Sequence, residues 1–273
     1  MSLEPEDYQE PRCPFEKPYS GIRQRGSCTR IDLAAVIAGC DRLFNSNDPQ
    51  ALGEHLRYWR EQAAAVKDFE SELSILNELM GHYRMQCDRE RGLAAVDDGI
   101  KLINFLNISG TVSCGTILIN AATALLSFGE NDRALRYYSE AARCYSDNLD
   151  PADARFAGLF NNMAAAHLAQ GENRHAEVYY RKALEILQKC NNKMDTAVTF
   201  VNLAQLYYQL DESAERINSE LDQAMKLFND PAVPHDGYYA HTAQKCAPAF
   251  GFFDREADEA LLMQRAKEFY ENA

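Results

Sequence analysis

The chain has 273 residues, of which 46% are hydrophobic and 25% charged, so it carries enough apolar material for a large core and is neither disordered nor membrane-spanning by composition. With 28 Lys and Arg against 41 Asp and Glu the formal charge is −13, a balance that repels phosphate backbones and anionic headgroups. Nucleic acid and membrane are therefore not expected as partners.

Residues 1–30 carry Pro5, Pro11, Pro14 and Pro18 and cannot be helical throughout, so an extended or disordered arm is expected there. The opening "MSLEPEDYQE" is acidic and has no apolar h-region, and a cytoplasmic protein is expected. Eight cysteines (Cys13, Cys28, Cys40, Cys87, Cys114, Cys144, Cys190 and Cys246) lie far apart, without Cys-x-x-Cys or a neighbouring His at ligand spacing. That is the usage of a reducing compartment, with most thiols expected as small core hydrophobes.

Residues 31–67 read as a helix pair broken between Asn45 and Pro49. From Lys101 to Glu130 no residue between the two is charged, a length that would cross a bilayer. Its middle holds Asn107, Ser109, Gly110, Thr111 and Ser113, and reads instead as a loop between two buried helices. Beyond it, "LLSFGENDRALRYYSEAARCY" aligns with "HLAQGENRHAEVYYRKALEIL": Gly129 with Gly171, Glu130 with Glu172, Ala134 with Ala176, Tyr138 with Tyr180 and Ala141 with Ala183, each offset by 42 residues. One period earlier Leu76, Leu79, Tyr83, Gly92, Val96 and Gly99 fill the same slots, with Cys87 where the glycine would stand. A weaker copy follows through Phe200, Leu203, Ala204, Tyr207 and Ala224. "GYYAHTAQKCAPAF" and "DREADEALLMQRAKEFYENA" form the last pair, with Pro248 near the end of its first helix.

Self-similarity at a fixed period means stacked units, none of which buries its apolar face alone. In the best copy Phe160, Met163, Ala164 and His167 recur at three- and four-residue spacing, giving a first helix that Gly171 ends; Asn173 is the expected N-cap of the second. Ala176, Tyr180, Ala183, Leu184 and Leu187 form the inward stripe of that second helix. The expected fold is thus all-α, an α-α superhelix of about six antiparallel helix pairs, with one domain over 31–273.

The slots Phe160, Met163-Ala164, His167, Ala176-x3-Tyr180 and Ala183, and likewise Leu118, Ala121-Ala122, Leu125, Ala134-x3-Tyr138 and Ala141, resemble the tetratricopeptide repeat. The period of 42 exceeds that family's usual ~34 and lacks its closing proline; it is similar to the kinesin-light-chain type and to the repeats of bacterial peptide-pheromone receptors. The resemblance implies protein or peptide binding, with the first helix of each pair lining a concave face.

On that face Asn120, Asn162 and Asn202 take one slot of three successive first helices, and Asn161 sits beside the second. Their amides both donate and accept, so a ladder of them can grip an extended peptide backbone; equally, such a ladder can bridge adjacent helices. Residues 115–128, 157–170 and 197–210 hold no Lys or Arg, which removes a cationic clamp for a carboxylate and leaves a neutral, partly apolar groove. Thr116, Ile119, Thr123, Leu126, Ala165, Leu168, Val198, Val201, Gln205 and Tyr208 are expected outward, with Leu168, Val201, Gln205 and Tyr208 shaping the pocket. Its occupant could be a foreign peptide, a second copy, or the chain's own arm through Tyr8, Phe15 and Tyr19.

No nucleophile elbow, phosphate-cradling loop or metal spacing is evident, so neither catalysis nor a cofactor is expected. His167 fills a slot that the resemblance assigns to Tyr and is expected as a packed core histidine, apart from His175 across the turn. The sequence therefore points to a non-catalytic binding scaffold, with a peptide or signal sensor that changes superhelix shape, or a self-associating structural protein, as alternatives.

Overall fold

The computed structural model describes residues 30–45 and 48–272. The expected arm at residues 1–29 lies outside them. Among the described residues there are twelve α-helices and no strand: α1 (Leu33–Asn45), α2 (Pro49–Ala65), α3 (Phe69–Met85), α4 (Arg89–Leu106), α5 (Val112–Ser127), α6 (Asn131–Asn148), α7 (Arg155–Ala169), α8 (Asn173–Lys189), α9 (Lys193–Gln209), α10 (Ala214–Phe228), α11 (Gly237–Phe252) and α12 (Glu256–Asn272). Consecutive helices pack as six pairs, the all-α solenoid arrangement expected from the period. They fall into two compact units, one ending at Leu149 and holding α1–α6, the other starting at Asp150 and holding α7–α12. Each unit is three helix pairs. No described helix is long and apolar enough to cross a membrane.

The tight turns explain why the period reads so clearly. At Gly171 (φ 75°) the backbone turns left-handed; its N–H donates to the carbonyl of Leu168 (2.9 Å), and that of Glu172 to His167 (2.9 Å). This pair of hydrogen bonds satisfies two of the orphan carbonyls of α7 as the chain reverses. Gly129 (φ 79°) does the same after α5. Cys87, in the glycine slot one period earlier, adopts φ 54° despite its Cβ, and Lys67, Asn191, Asp211 and Asp254 take the same conformation elsewhere. The expected N-cap Asn173 is instead the first helical residue; Glu172 occupies the cap position, and its side chain does not cap.

The uncharged run is two helices and a loop, as expected. Asn107 (φ 54°) ends α4, Gly110 (φ 81°) turns the chain, and the Thr111 hydroxyl caps α5 by accepting from the Cys114 N–H (3.1 Å).

Small residues set the approach of paired helices. Ala164, Ala176, Ala183, Ala204 and Ala224 are all fully buried. Ala176→Leu should therefore overpack the α7–α8 contact and lower stability by about 1–3 kcal/mol, read as a lower urea midpoint with unchanged m-value. Of the six described cysteines Cys40, Cys114, Cys144 and Cys246 are buried. Burial pushes Cys114 and Cys246 up to about 12, which leaves them unreactive near neutrality.

In the first unit one buried titratable group makes a prediction. His82 of α3 packs beside Tyr83 (ring centroids 5.3 Å), and a Cβ on Gly53 of α2 would meet its Nε2 at 2.6 Å, so a larger residue there would push the imidazole aside. Burial, with Arg57 and Arg91 nearby, holds this imidazole below its ordinary 6.5. The unfolded chain then binds the proton more readily than the folded one. Stability is full above the ordinary value and falls as pH drops through it. Urea unfolding at about pH 7 and about pH 5 should show this loss, and His82→Gln should flatten the dependence.

Candidate binding face

Within the second unit α7 and α9 carry matched slots: Phe160 and Phe200, Asn162 and Asn202, Met163 and Leu203, His167 and Tyr207, Leu168 and Tyr208. A side-chain bridge joins the two helices, in which Asn161 Nδ2 donates to Thr199 Oγ1 (3.1 Å) while the Thr199 hydroxyl donates to the Asp195 carbonyl (2.8 Å). Both Asn161 and Thr199 are buried. Asn161 therefore holds helices together.

Asn120 is engaged in the same manner in the first unit, donating from Nδ2 to Asn77 Oδ1 of α3 (2.9 Å). Asn162 differs. It is 7% exposed, and its Nδ2 is buried with no hydrogen-bond partner. Leaving such a donor unpaired costs about 1–3 kcal/mol. Asn202, in the equivalent slot of α9, is half-buried.

Several residues expected outward are inside. Every residue from Met194 to Val201 is buried, as is every residue from Cys114 to Ile119. Runs of six to eight consecutive buried residues cover all sides of a helix, so no open face remains there. Val201, Val198, Thr116 and Ile119 are thus core residues, and Val201 belongs to the cluster around Leu203, Tyr207 and Leu221. The accessible part of the face lies toward the helix C-termini: Leu168 is half-buried, Gln205 is exposed, and Tyr208 is 53% exposed. Tyr208 stands edge-on to Phe252 (5.1 Å) and Phe253 (5.7 Å) at the end of α11. These rings make an aromatic ledge.

Beneath the ledge a polar network fixes the C-terminal half of α9. The fully buried Tyr207 donates its hydroxyl to Glu177 Oε1 of α8 (2.7 Å), and the same carboxylate accepts from Arg216 of α10 (3.0 Å). The Arg216 guanidinium lies 3.8 Å from the Tyr207 ring centroid, and Arg181 reaches both the Tyr207 hydroxyl and Glu220 (3.1 Å). Burial, aided by the hydrogen bond to Glu177, pushes the phenol above its usual range, so it remains a donor. Tyr207 is turned inward, whereas its neighbour Tyr208 is turned out. The repeat pattern assigns Tyr207 its slot but carries no sign of these partners.

His167 is packed as expected but half-buried, not in the core, and its ring lies 5.3 Å from that of His175 across the turn. Its ring stacks on Tyr179 (5.2 Å, 8°) and its Nδ1 faces the Glu172 carboxylate.

Residues 155–217 match the tetratricopeptide repeat family. No curated protein matches the sequence. Among solved structures the fold is similar to BtubC (BKLC) from P. vanneervenii, at 16% identity over 89% of this chain and 92% of that one, with a TM-score of 0.55. A putative kinesin light chain with TPR-like repeats from Podosopora anserina matches at 13% identity over 71% of this chain and 92% of that one, TM-score 0.54. NprR in complex with its cognate peptide NprX matches at 14% identity over 89% of this chain and 68% of that one, TM-score 0.57. The apo form of the quorum sensor NprR from B. thuringiensis matches at 14% identity, 88% and 65%, TM-score 0.51.

Proposed function

We propose, from the tetratricopeptide-repeat match of residues 155–217, that the second unit binds an extended protein or peptide segment along the C-terminal ends of α7 and α9, without catalysis. The observation that carries the reading is the exposed aromatic ledge set beside accessible amides. Asn202, half-buried in the slot that Asn162 fills one repeat earlier, and the exposed Gln205 lead to the Tyr208–Phe252 ledge. Amides grip a peptide backbone without reading its sequence, while aromatic and apolar side chains supply desolvated area. Leu168 completes the apolar side.

In this reading Asn120 and Asn161 brace adjacent repeats, since Asn77 and Thr199 occupy their amides. Val201 supports the face from below. Selection from a displayed random-peptide library tests the idea: wild type should enrich a related set, and the Asn202→Ala/Tyr208→Ala double variant, still folded by circular dichroism, should not. Equal enrichment by both would remove it. The likeness to NprR, solved with its peptide, favours a second reading in which the bound peptide is a signal that shifts the arrangement of the repeats. Compaction in small-angle scattering on peptide addition would support the sensor over a static scaffold.

A further inference from the structure

Across the turn between α7 and α8 three donor side chains converge: His167 near the end of α7, Glu172 at the cap of α8 and His175 in its first turn. Each offers one ligand atom, and these atoms all lie within 4.8 Å of one another. Glu172 Oε2 is 2.7 Å from His167 Nδ1 and 3.5 Å from His175 Nδ1. Around a tetrahedral zinc ion with bonds of about 2.0–2.2 Å, neighbouring donors stand roughly 3.3 Å apart. The two observed separations bracket that value. We infer that His167, Glu172 and His175 form a binding site for a divalent transition-metal ion of the zinc class, with a further coordination position open to solvent.

Three features of the molecule prepare the site. The left-handed Gly171 and the two backbone hydrogen bonds from Gly171 and Glu172 fix the turn, so the Cα positions of His167 and Glu172 are set before any ion arrives. Stacking on Tyr179 holds the His167 ring plane, much as outer partners orient metal-binding imidazoles. Two imidazoles and one carboxylate form a donor set that zinc uses where it keeps an open position, whereas calcium and magnesium prefer oxygen alone. Binding requires the proton on Nδ1 of His167 to be absent, with the ring proton carried by Nε2. The side chains are 15% (His167), 44% (Glu172) and 68% (His175) exposed, so an ion has a path in.

The trio is not a by-product of the repeat. One period earlier the same three slots hold Leu125, Glu130 and Arg133, and there the carboxylate pairs with Arg89. Only the copy at 155–189 unites two histidines with the shared glutamate.

Isothermal titration of the untagged full chain with Zn2+ tests the proposal, beside His175→Ala and Glu172→Gln. His175 is largely exposed and Gln is isosteric with Glu, so both variants should retain the wild-type circular dichroism. Wild type should bind one ion saturably at this site, with at least about a 10-fold loss in each variant. Zn2+ should raise the melting temperature of wild type but not of His175→Ala. Co2+ in place of Zn2+ should give a spectrum without thiolate charge-transfer bands, which separates this site from the cysteines. No saturable binding, unchanged titration of both variants, or thiolate bands that persist in His175→Ala would each overturn the assignment and leave the trio as an ion-pair cluster.

Discussion

Tyr207→Ala should lower the stability of the unit from Asp150 onward by about 3–5 kcal/mol, measured by urea unfolding with hydrogen exchange localised to α8, α9 and α10. The side chain is fully buried, so its removal leaves a ring-sized cavity in the core of the unit. It also strips Glu177 of one donor and Arg216 of the ring beneath it. Tyr207→Phe separates the two contributions. It keeps the volume and the Arg216 contact but loses the hydroxyl, and should cost about 0.5–1.5 kcal/mol. A Tyr207→Ala effect below about 1 kcal/mol would mean that the α8–α9–α10 network does not hold the face in place.

Tyr208→Ala should do the opposite, weakening binding of a selected peptide by at least about 2 kcal/mol, or roughly 30-fold, while moving stability by less than about 0.5 kcal/mol. Adjacent residues thus separate support from contact. Tyr208 is half out of the protein and shares its ledge with Phe252, the composition and exposure that concentrate binding energy at interfaces. Asn161→Ala provides the converse control. It should cost about 1 kcal/mol of stability through the lost Thr199 bond and leave a folded protein with near wild-type affinity. Titration calorimetry with the selected peptide, together with thermal melts, reads both quantities. Were Tyr208→Ala to bind as wild type does, the ledge would be ordinary surface.

The repeat was legible because its strongest signals are backbone requirements. Gly129 and Gly171 stand where the chain must turn left-handed, and even Cys87, a non-glycine in that slot, could be placed by period alone. Ala176 and Ala183 marked close helix approach, and both are fully buried. Less legible was which face of each first helix stays open. Periodicity assigns one apolar stripe to a helix, whereas residues Met194 to Val201 are enclosed on all sides, so Val198 and Val201 could not be told from groove residues. The partners of the asparagines were also hidden, since one slot pairs Asn120 with Asn77 yet leaves the Asn162 donor unpaired, and Asn161 beside it pairs with Thr199. The His167–Glu172–His175 trio escaped for a related reason. Its members lie five and three residues apart across a turn, and only the reversal of the chain brings them together.

The most direct test of the binding face is hydrogen–deuterium exchange of the full chain with and without a selected peptide, resolved to individual helices. Slowed exchange confined to the C-terminal halves of α7 and α9 and the end of α11, abolished in Asn202→Ala/Tyr208→Ala, is the predicted result. Protection elsewhere with these segments unchanged would contradict the account and move the binding site off this face.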